Sequence, residues 1–216
     1  MTTILKPKEN IAMRAAKELQ EGNIVNLGIG IPTLVSKYID SPSIHLHTEN
    51  GLLGVDDLKQ DIDPLLVNAG KLPVGEASGA SYFDSADSFA MIRGGHIDVA
   101  ILGALQVDET GLIANWAIPG ETIMGVGGAM DLMSGAKKII VTTNHTNKKG
   151  EPKLVKTCTY PITSIRKVDM IITELAVFAL QENKLTLIEL MPGATLDEVK
   201  RKTESEFSIA ETVKGG

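Results

Sequence analysis

Near the start of the chain, apolar residues recur at three- and four-residue spacing. Ile11, Ala12, Ala15, Ala16 and Leu19 fall on one side and Lys and Glu on the other, which predicts an amphipathic helix. Gly22 stands where that helix should stop. The apolar run Ile24 to Leu27 predicts a strand, and Gly28-Ile29-Gly30-Ile31 a turn after it. Pro32 is placed to open the next helix, at the first position, where a missing N–H costs nothing. From Ser43 to Thr48 polar and apolar residues alternate around Ile44 and Leu46, the period of a strand, and Asn50-Gly51 ends it with a turn. Residues 52–80 show no clear period and are expected to be irregular. Asp84 can cap a helix carrying Phe89, Met91 and Ile92. Ile97 to Leu102 and Lys138 to Thr143 read as buried strands, with the glycine-laden stretch Pro119 to Gly135 between them. Strands are also predicted at Met170–Thr173, Ala176–Leu180 and Leu185–Leu190, the last two joined by a hairpin at Glu182-Asn183, and a closing helix near Leu196–Lys202. Short strands alternating with helices predict an α/β fold: a single domain over residues 1–216, its mixed and mostly parallel sheet flanked by helices. In such open sheets ligands sit at loops off the carboxyl ends of the strands.

Composition narrows this picture. The 216 residues are 43% hydrophobic, too apolar for a disordered chain, and their net charge of −6 gives no overall pull toward nucleic acid or anionic membrane. A lone cysteine, Cys158, cannot form an internal disulfide, and no apolar stretch approaches the ~20 residues of a membrane span. The N-terminal segment lacks an apolar signal core, so a cytoplasmic location is expected. Glycine is in surplus, 21 residues where average usage gives about 15.

Several glycines lie where chemistry could need them. The Gly28-x-Gly30 turn, after a strand and before a helix, can aim backbone N–H groups at an anion. Thr33 occupies the place of a third fingerprint glycine, so a dinucleotide site is not indicated. Gly125, Gly127 and Gly128 allow close backbone approach to a ligand, and such a loop leading into a helix can form an oxyanion hole. Glu49, at the end of a strand and held by the Asn50-Gly51 turn, would present a carboxylate into a cleft. His45, His47 and Glu49 alternate on the same strand and would share a face, an arrangement that could also hold zinc or iron, although no further ligand cluster supports it. Ser81, Ser85 and Ser88 lack a nucleophile-elbow pattern, Lys148-Lys149-Gly150 reads as a hairpin tip, and Arg93-Gly94-Gly95 reads as a basic last turn with its glycine stop.

Taken in order, Asn26-Leu-Gly-Ile-Gly-Ile-Pro32, Glu49-Asn50-Gly51, Val67-Asn-Ala-Gly-Lys71, Ser81-Tyr-Phe-Asp84, Phe89-Ala-Met-Ile-Arg-Gly-Gly-His96, Leu105-Gln-Val107, Ala114-Asn-Trp116 and Gly125-Val-Gly-Gly-Ala-Met-Asp131 resemble one family. It is the beta subunit of the family I 3-oxoacid and acetate/butyrate–acetoacetate coenzyme A-transferases, and the resemblance runs from about residue 10 to about residue 210. The resemblance implies the family's open α/β fold and a ping-pong transfer of coenzyme A between an acyl-CoA and a small carboxylic or 3-oxo acid. Glu49 would be the nucleophile, passing through an acyl–glutamyl anhydride and a glutamyl–CoA thioester, with Gly127 and Gly128 as oxyanion amides. Gly28, Ile29, Gly30, Asn50 and Lys71 would bind substrate or coenzyme A. No bound cofactor and no metal are implied, only coenzyme A and acyl-CoA as substrates. The implied partner is a separate alpha subunit, giving an α2β2 heterotetramer with the site at the subunit interface, and no nucleic acid or membrane.

The chain departs from the family's usual pattern at four places. Thr48 stands for a usual Ser, His47 for a common Gln, Glu121 for a Lys after Pro-Gly, and the loop before Asn68 is slightly short. Two other readings of the residues are a non-catalytic small-molecule-sensing domain, against which the lack of an appended helix-turn-helix argues, and a metal-dependent hydrolase using His45, His47 and Glu49.

Overall fold

The computed structural model describes residues 6–56, 63–68, 70–121, 123 and 125–214. The first half forms α1 (Pro7–Ala16), β1 (Ile24–Leu27), a 3-10 helix (Pro32–Tyr38), β2 (His45–Thr48), β3 (Leu52–Asp56), β4 (Gly75–Tyr82), α2 (Ser85–Arg93), β5 (Val99–Gly103), β6 (Gln106–Asp108) and β7 (Ile113–Ala114). There follow α3 (Ala129–Gly135), β8 (Lys138–Thr142), β9 (Leu154–Val155), β10 (Met170–Ile172), β11 (Ala176–Gln181), β12 (Lys184–Leu190), α4 (Leu196–Lys202), β13 (Ser208–Ile209) and α5 (Glu211–Lys214).

One ten-stranded sheet runs β13-β12-β11-β10-β8-β5-β1-β2-β3-β4, and β7-β6-β9 make a small second sheet. The five central strands, β10, β8, β5, β1 and β2, are parallel, while β3–β4 and β11–β12 extend the two flanks antiparallel. This is the mixed α/β architecture expected from the sequence. Period two explains why β5, at the centre of the sheet, has no charged or polar side chain. On β5, Val99 and Ile101 pack with Ile11, Ala12 and Ala15 of α1 on one face. Ala100 and Leu102 pack with Ile92 of α2, Leu132 and Met133 of α3 and Val199 of α4 on the other. A strand covered on both sides has no position for a polar residue facing water. Each such Val, Leu or Ile contributes about 1.5–3 kcal/mol by leaving water.

Local chemistry sets the ends of these elements. Asp84 caps α2 by accepting from the Asp87 N–H at 2.9 Å, and α2 closes with the Gly94 N–H donating to the Ala90 carbonyl. Glu182 and Asn183 both have positive φ (50° and 63°), as a tight hairpin between β11 and β12 requires. Lys138 reaches Glu18 at 2.7 Å and Arg14 bridges Glu18 and Glu189 at 2.8 Å, tying α1 to β8 and β12.

Pro32 opens a helix as expected, and the helix is of the 3-10 kind: Thr33 Oγ1 donates to the Gly28 carbonyl and Ser36 Oγ to the Thr33 carbonyl, and hydroxyls that bond nearby carbonyls compete with the α-helical ladder. Two expectations need correction. Residues 52–80 are not irregular throughout, because they contain β3 and β4; residues 57–62 and 69 lie outside the described residues. β4 is mostly exposed, so its sequence carries no alternation to read, and its place is set by pairing with β3. The strand expected from Ser43 begins only at His45.

The turn after β2 depends on Gly51, whose φ is +108° and whose carbonyl accepts from the Phe83 N–H at 3.0 Å. A Cβ there would lie 1.9 Å from the Phe83 carbonyl oxygen. Gly51→Ala should therefore lower stability by at least ~2 kcal/mol, through positive-φ strain and the clash together. A denaturant midpoint unchanged from the parent would contradict this.

Candidate active site

β1, β2 and β5 run parallel side by side, so their carboxyl ends open on one edge of the sheet. β1 leads into Gly28 and Ile29, β2 into Glu49, and β5 into Gly103, Ala104 and Leu105. These loops, with Asn115 and the segment Gly125–Ala129, line one cleft of about 410 Å³. The structure thus brings together Gly28, Ile29, Glu49, Gly127 and Gly128, although 21 residues separate Gly28 from Glu49 and 78 separate Glu49 from Gly127. Gly30, Asn50 and Lys71 are not part of the cleft lining.

Glu49 is the centre of this arrangement. Its side chain lies directly against Gly128: a Cβ on Gly128 would stand 2.8 Å from Glu49 Cγ and 3.1 Å from Oε1. Only a residue without a side chain leaves room for the carboxylate there. Gly127, at φ +56°, turns the loop just before this contact. Among the described residues the N–H groups of Gly127 and Gly128 have no protein acceptor, whereas the Gly28 N–H is taken up by the Ile101 carbonyl at 2.9 Å. Gly28 therefore shapes the wall, and does not supply the anion donor that its sequence suggested.

Burial raises the Glu49 pKa above the ordinary carboxylate value, partly offset by hydrogen bonds from its own backbone N–H and from the Asn26 side chain. By contrast Glu18, Asp98 and Glu198 are held below the ordinary value by lysine and arginine partners or backbone donors, against the opposing effect of burial. A buried carboxylate seated against a glycine loop whose N–H groups have no acceptor among the described residues is suited to attack an electrophilic carbonyl, with those N–H groups available to the oxyanion that results. A larger depression of about 820 Å³, lined by Leu27, Leu34, Lys37, Asn68 and Leu72, contains neither Glu49 nor the Gly127–Gly128 loop. Size does not select the site; the placement of the carboxylate does.

The metal arrangement considered from the sequence is not formed. His45 is exposed, Glu49 lies beyond the end of β2, and His47 is 2% exposed with Nδ1 facing Asn26 Nδ2 at 3.2 Å and Nε2 facing Ser88 Oγ at 3.0 Å. Both ring nitrogens are thus engaged inside the protein. Among the described residues no three His, Cys, Asp or Glu side chains converge to hold a metal ion. Cys158 is no thiolate: burial pushes its pKa up to about 12. Lys71 sits at φ 59° in a loop closed by Asn68, and Asn50 Nδ2 ties that loop to the Glu49 turn through the Val67 carbonyl at 3.2 Å.

The sequence pattern of the family described as Coenzyme A transferase matches residues 8–202. The chain belongs to that family. It is 53% identical over 204 residues to one subunit of the succinyl-CoA:3-ketoacid coenzyme A transferase of Helicobacter pylori strain 26695, covering 94% of this chain and 99% of the relative. To the beta subunit of the acetate CoA-transferase of Escherichia coli K12 it is 48% identical, covering 94% of each. Among solved structures, the acyl-CoA transferase YdiF apoenzyme of E. coli O157:H7 superposes with a TM-score of 0.79 at 25% identity, over 98% of this chain and 43% of that one. The chain is a coenzyme A transferase of the beta-subunit type, and its relatives are named as transferase subunits rather than as sensing domains.

Asn115, Gly103 and Ala104 in the cleft, and Asn26 and Ser88 behind it, were not assigned a role from sequence alone, and His47 only that of a metal ligand. Asn26 and Asn115 lay within motifs of the resemblance, but neither carries a spacing that singles it out. No helix among the described residues is long and apolar enough to cross a membrane.

Two measurements follow from this geometry. Gly128→Ala should leave the melting temperature within a few degrees of the parent yet reduce turnover by about 10²-fold, since displacing a reacting group by ~1 Å costs that much; a fully active Gly128→Ala enzyme would contradict the contact. Burial also holds the pKa of both His47 and His145 down at about 4, from 6.5. As pH falls from 6.5 to 4 the unfolded chain takes up these protons before the folded chain does. Stability should therefore decline across that window by up to about 1.4 kcal/mol per pH unit per histidine. Urea midpoints that stay level between pH 7 and pH 4.5 would contradict the burial of the two rings.

Proposed function

We propose that this chain is the catalytic subunit of an enzyme that moves coenzyme A between an acyl-CoA and a small carboxylic or 3-oxo acid. The observation carrying the proposal is the Glu49 carboxylate seated against Gly128 in the cleft. The activities named for the relatives, succinyl-CoA:3-ketoacid and acetate coenzyme A transfer, support succinate, acetate and a 3-oxo acid as the class of acids, and acetoacetate and butyrate are proposed with them from the resemblance of the sequence motifs.

The chemistry is two matched half-reactions. A Glu49 oxygen attacks the thioester carbonyl, the C–S bond breaks, and coenzyme A leaves as a thiolate from an acyl–glutamyl anhydride. The thiolate attacks the glutamyl carbonyl, releasing the first acid as its carboxylate and leaving a glutamyl–CoA thioester. An acceptor carboxylate then attacks that thioester, and the steps run in reverse. Protons, electrons and water do not enter the balance, and one difficult exchange becomes several easier ones. Each addition creates an oxyanion, for which the Gly127 and Gly128 N–H groups are the proposed donors; losing one such donor typically costs ~10²–10³ in rate. Gly28 and Ile29 form the facing wall, and Gly30, Asn50 and Lys71 are proposed to contact coenzyme A or to hold the loops that do. Binding the remote parts of coenzyme A then helps position the thioester. Coenzyme A is substrate here, not a resident cofactor.

The relatives are themselves named as subunits, the E. coli one as a beta subunit, which supports an alpha subunit as partner; an α2β2 heterotetramer with the cleft at the subunit interface is the assembly proposed. Exposed apolar residues agree: Ile29 is 69% exposed at the cleft wall, and Ile123 is 58% exposed beside the Gly125–Gly128 loop. The chain is proposed to act as one domain over residues 1–216, in the cytoplasm.

The test combines the chain and its partner subunit with an acyl-CoA, followed by borohydride or hydroxylamine, and examines the Glu49 peptide by mass spectrometry. A modified Glu49 is expected, with loss of turnover by at least ~10³-fold in Glu49→Ala, the scale of losing a nucleophile. An unmodified peptide, with turnover intact in Glu49→Ala, would overturn the proposal.

A further inference from the structure

Behind Glu49 lies a buried polar chain that the transfer chemistry does not itself use. Asn26, His47 and Ser88 are 1%, 2% and 0% exposed, on β1, β2 and α2. Asn26 Nδ2 lies 3.2 Å from His47 Nδ1 and donates to the His47 carbonyl at 3.2 Å. His47 Nε2 lies 3.0 Å from Ser88 Oγ, which donates to the Thr48 carbonyl at 3.4 Å. The imidazole is stacked on Phe83, with centroids 5.9 Å apart and planes 14° from parallel.

The roles along this chain are fixed by what each group can do. An amide nitrogen only donates, so Nδ1 of His47 accepts and its proton sits on Nε2. Nε2–H then donates to Ser88 Oγ, and the Ser88 proton goes to the Thr48 carbonyl. A neutral ring in one tautomer satisfies both ring nitrogens of His47 and the Ser88 hydroxyl, which is how a buried network specifies a single arrangement. The same Asn26 amide bonds the Glu49 carboxylate, and Asn26 Oδ1 is buried without a partner. The amide is thus held with its N–H side committed and its oxygen unsatisfied, an orientation it would not choose unaided.

On the far side of Glu49, Phe83 clamps Gly51, so α2 and the segment entering it grip the turn from both ends. We propose that Ser88 and His47 are positioning residues: their hydrogen-bond chain fixes the Asn26 amide with its N–H side toward the Glu49 carboxylate, and so aims that carboxylate into the cleft. The inference rests on Glu49 being the reacting group. The groups acting on the Glu49 carboxylate are the Asn26 amide and its own backbone N–H, with no charged side chain among the described residues. Loosening the amide should therefore raise the pH at which Glu49 ionises.

The experiment compares His47→Gln, His47→Leu and Ser88→Ala, each assembled with the partner subunit, with the parent enzyme. In His47→Leu, kcat should fall about 10–100-fold with the KM for acyl-CoA changed less than about two-fold, as misaligned reacting groups predict. The acid limb of the kcat/KM profile should move to higher pH. His47→Gln, whose amide oxygen accepts from Asn26 and whose nitrogen donates to Ser88, should restore both kcat and the limb. Ser88→Ala should shift the limb in the same direction by a smaller amount. A purely structural role would lower the melting temperature without moving the limb. That result, or a Ser88→Ala profile identical to the parent, overturns the proposal even where His47→Leu does not fold. Borohydride or hydroxylamine trapping on Glu49 in the parent separates the two ideas: no adduct overturns the role of Glu49, and an adduct with an unmoved limb overturns the brace alone.

Discussion

The structure turns on one contact, the side chain of Glu49 lying against the bare backbone of Gly128. A glutamate side chain can lie this close to the backbone of another segment only where no Cβ intervenes, and only where two segments far apart in sequence are held rigidly together. The parallel register of β5, β1 and β2 supplies one side, because it brings the residues after all three strands to the same sheet edge. α3, packed through Leu132 and Met133 into the core beneath β5 and β8, supplies the other. The apolar sheet interior therefore serves the site directly: any slip of register or helix would open the contact by more than the fraction of an ångström it tolerates.

Desolvation is the second common thread. The same burial that raises the pKa of Glu49 lowers those of His47 and His145. The consequences differ because the partners differ. His145 is enclosed by Thr173 and Thr203 hydroxyls at 2.9 and 2.8 Å, so a neutral ring satisfies it and it stays inert in the core. Glu49 is hydrogen-bonded by its own backbone N–H and by the Asn26 amide, lies against Gly128 and faces a cleft. A buried group with a perturbed pKa at a cleft is a candidate for chemistry, where one enclosed in the core is structural. Lys153 gives a third case: its half-buried ammonium donates to the Ala104 carbonyl and to Thr143 Oγ1, fixing the backbone of a cleft-wall residue from behind.

The fold was legible where hydrophobic periodicity was strong. α1, β1, α2, β5, β8, β10, the β11–β12 hairpin and α4 all stand near their expected places, since burial on one or both faces leaves a period in the sequence. β4 was missed because a mostly exposed edge strand is defined by its neighbour and needs no alternation of its own, and β3 because its five residues, broken by Gly54, are too short to show a period. The site was legible in part. The Glu49-Asn50-Gly51 turn and the glycine loop announced themselves by residue type, but His45-x-His47-x-Glu49 suggested a shared open face that the end of β2 and the burial of His47 remove.

The sequence by itself determined the α/β class, the family, and the identity of the residues available for chemistry, because those follow from local spacing and from side-chain type. Tertiary structure alone decided which glycine meets the carboxylate, that the Gly28 N–H is consumed by the sheet while those of Gly127 and Gly128 have no acceptor among the described residues, and that both ring nitrogens of His47 are engaged by Asn26 and Ser88 inside the protein. The physical reason is that burial and hydrogen-bond partners are properties of segments brought together from distant parts of the chain, and no local spacing encodes them.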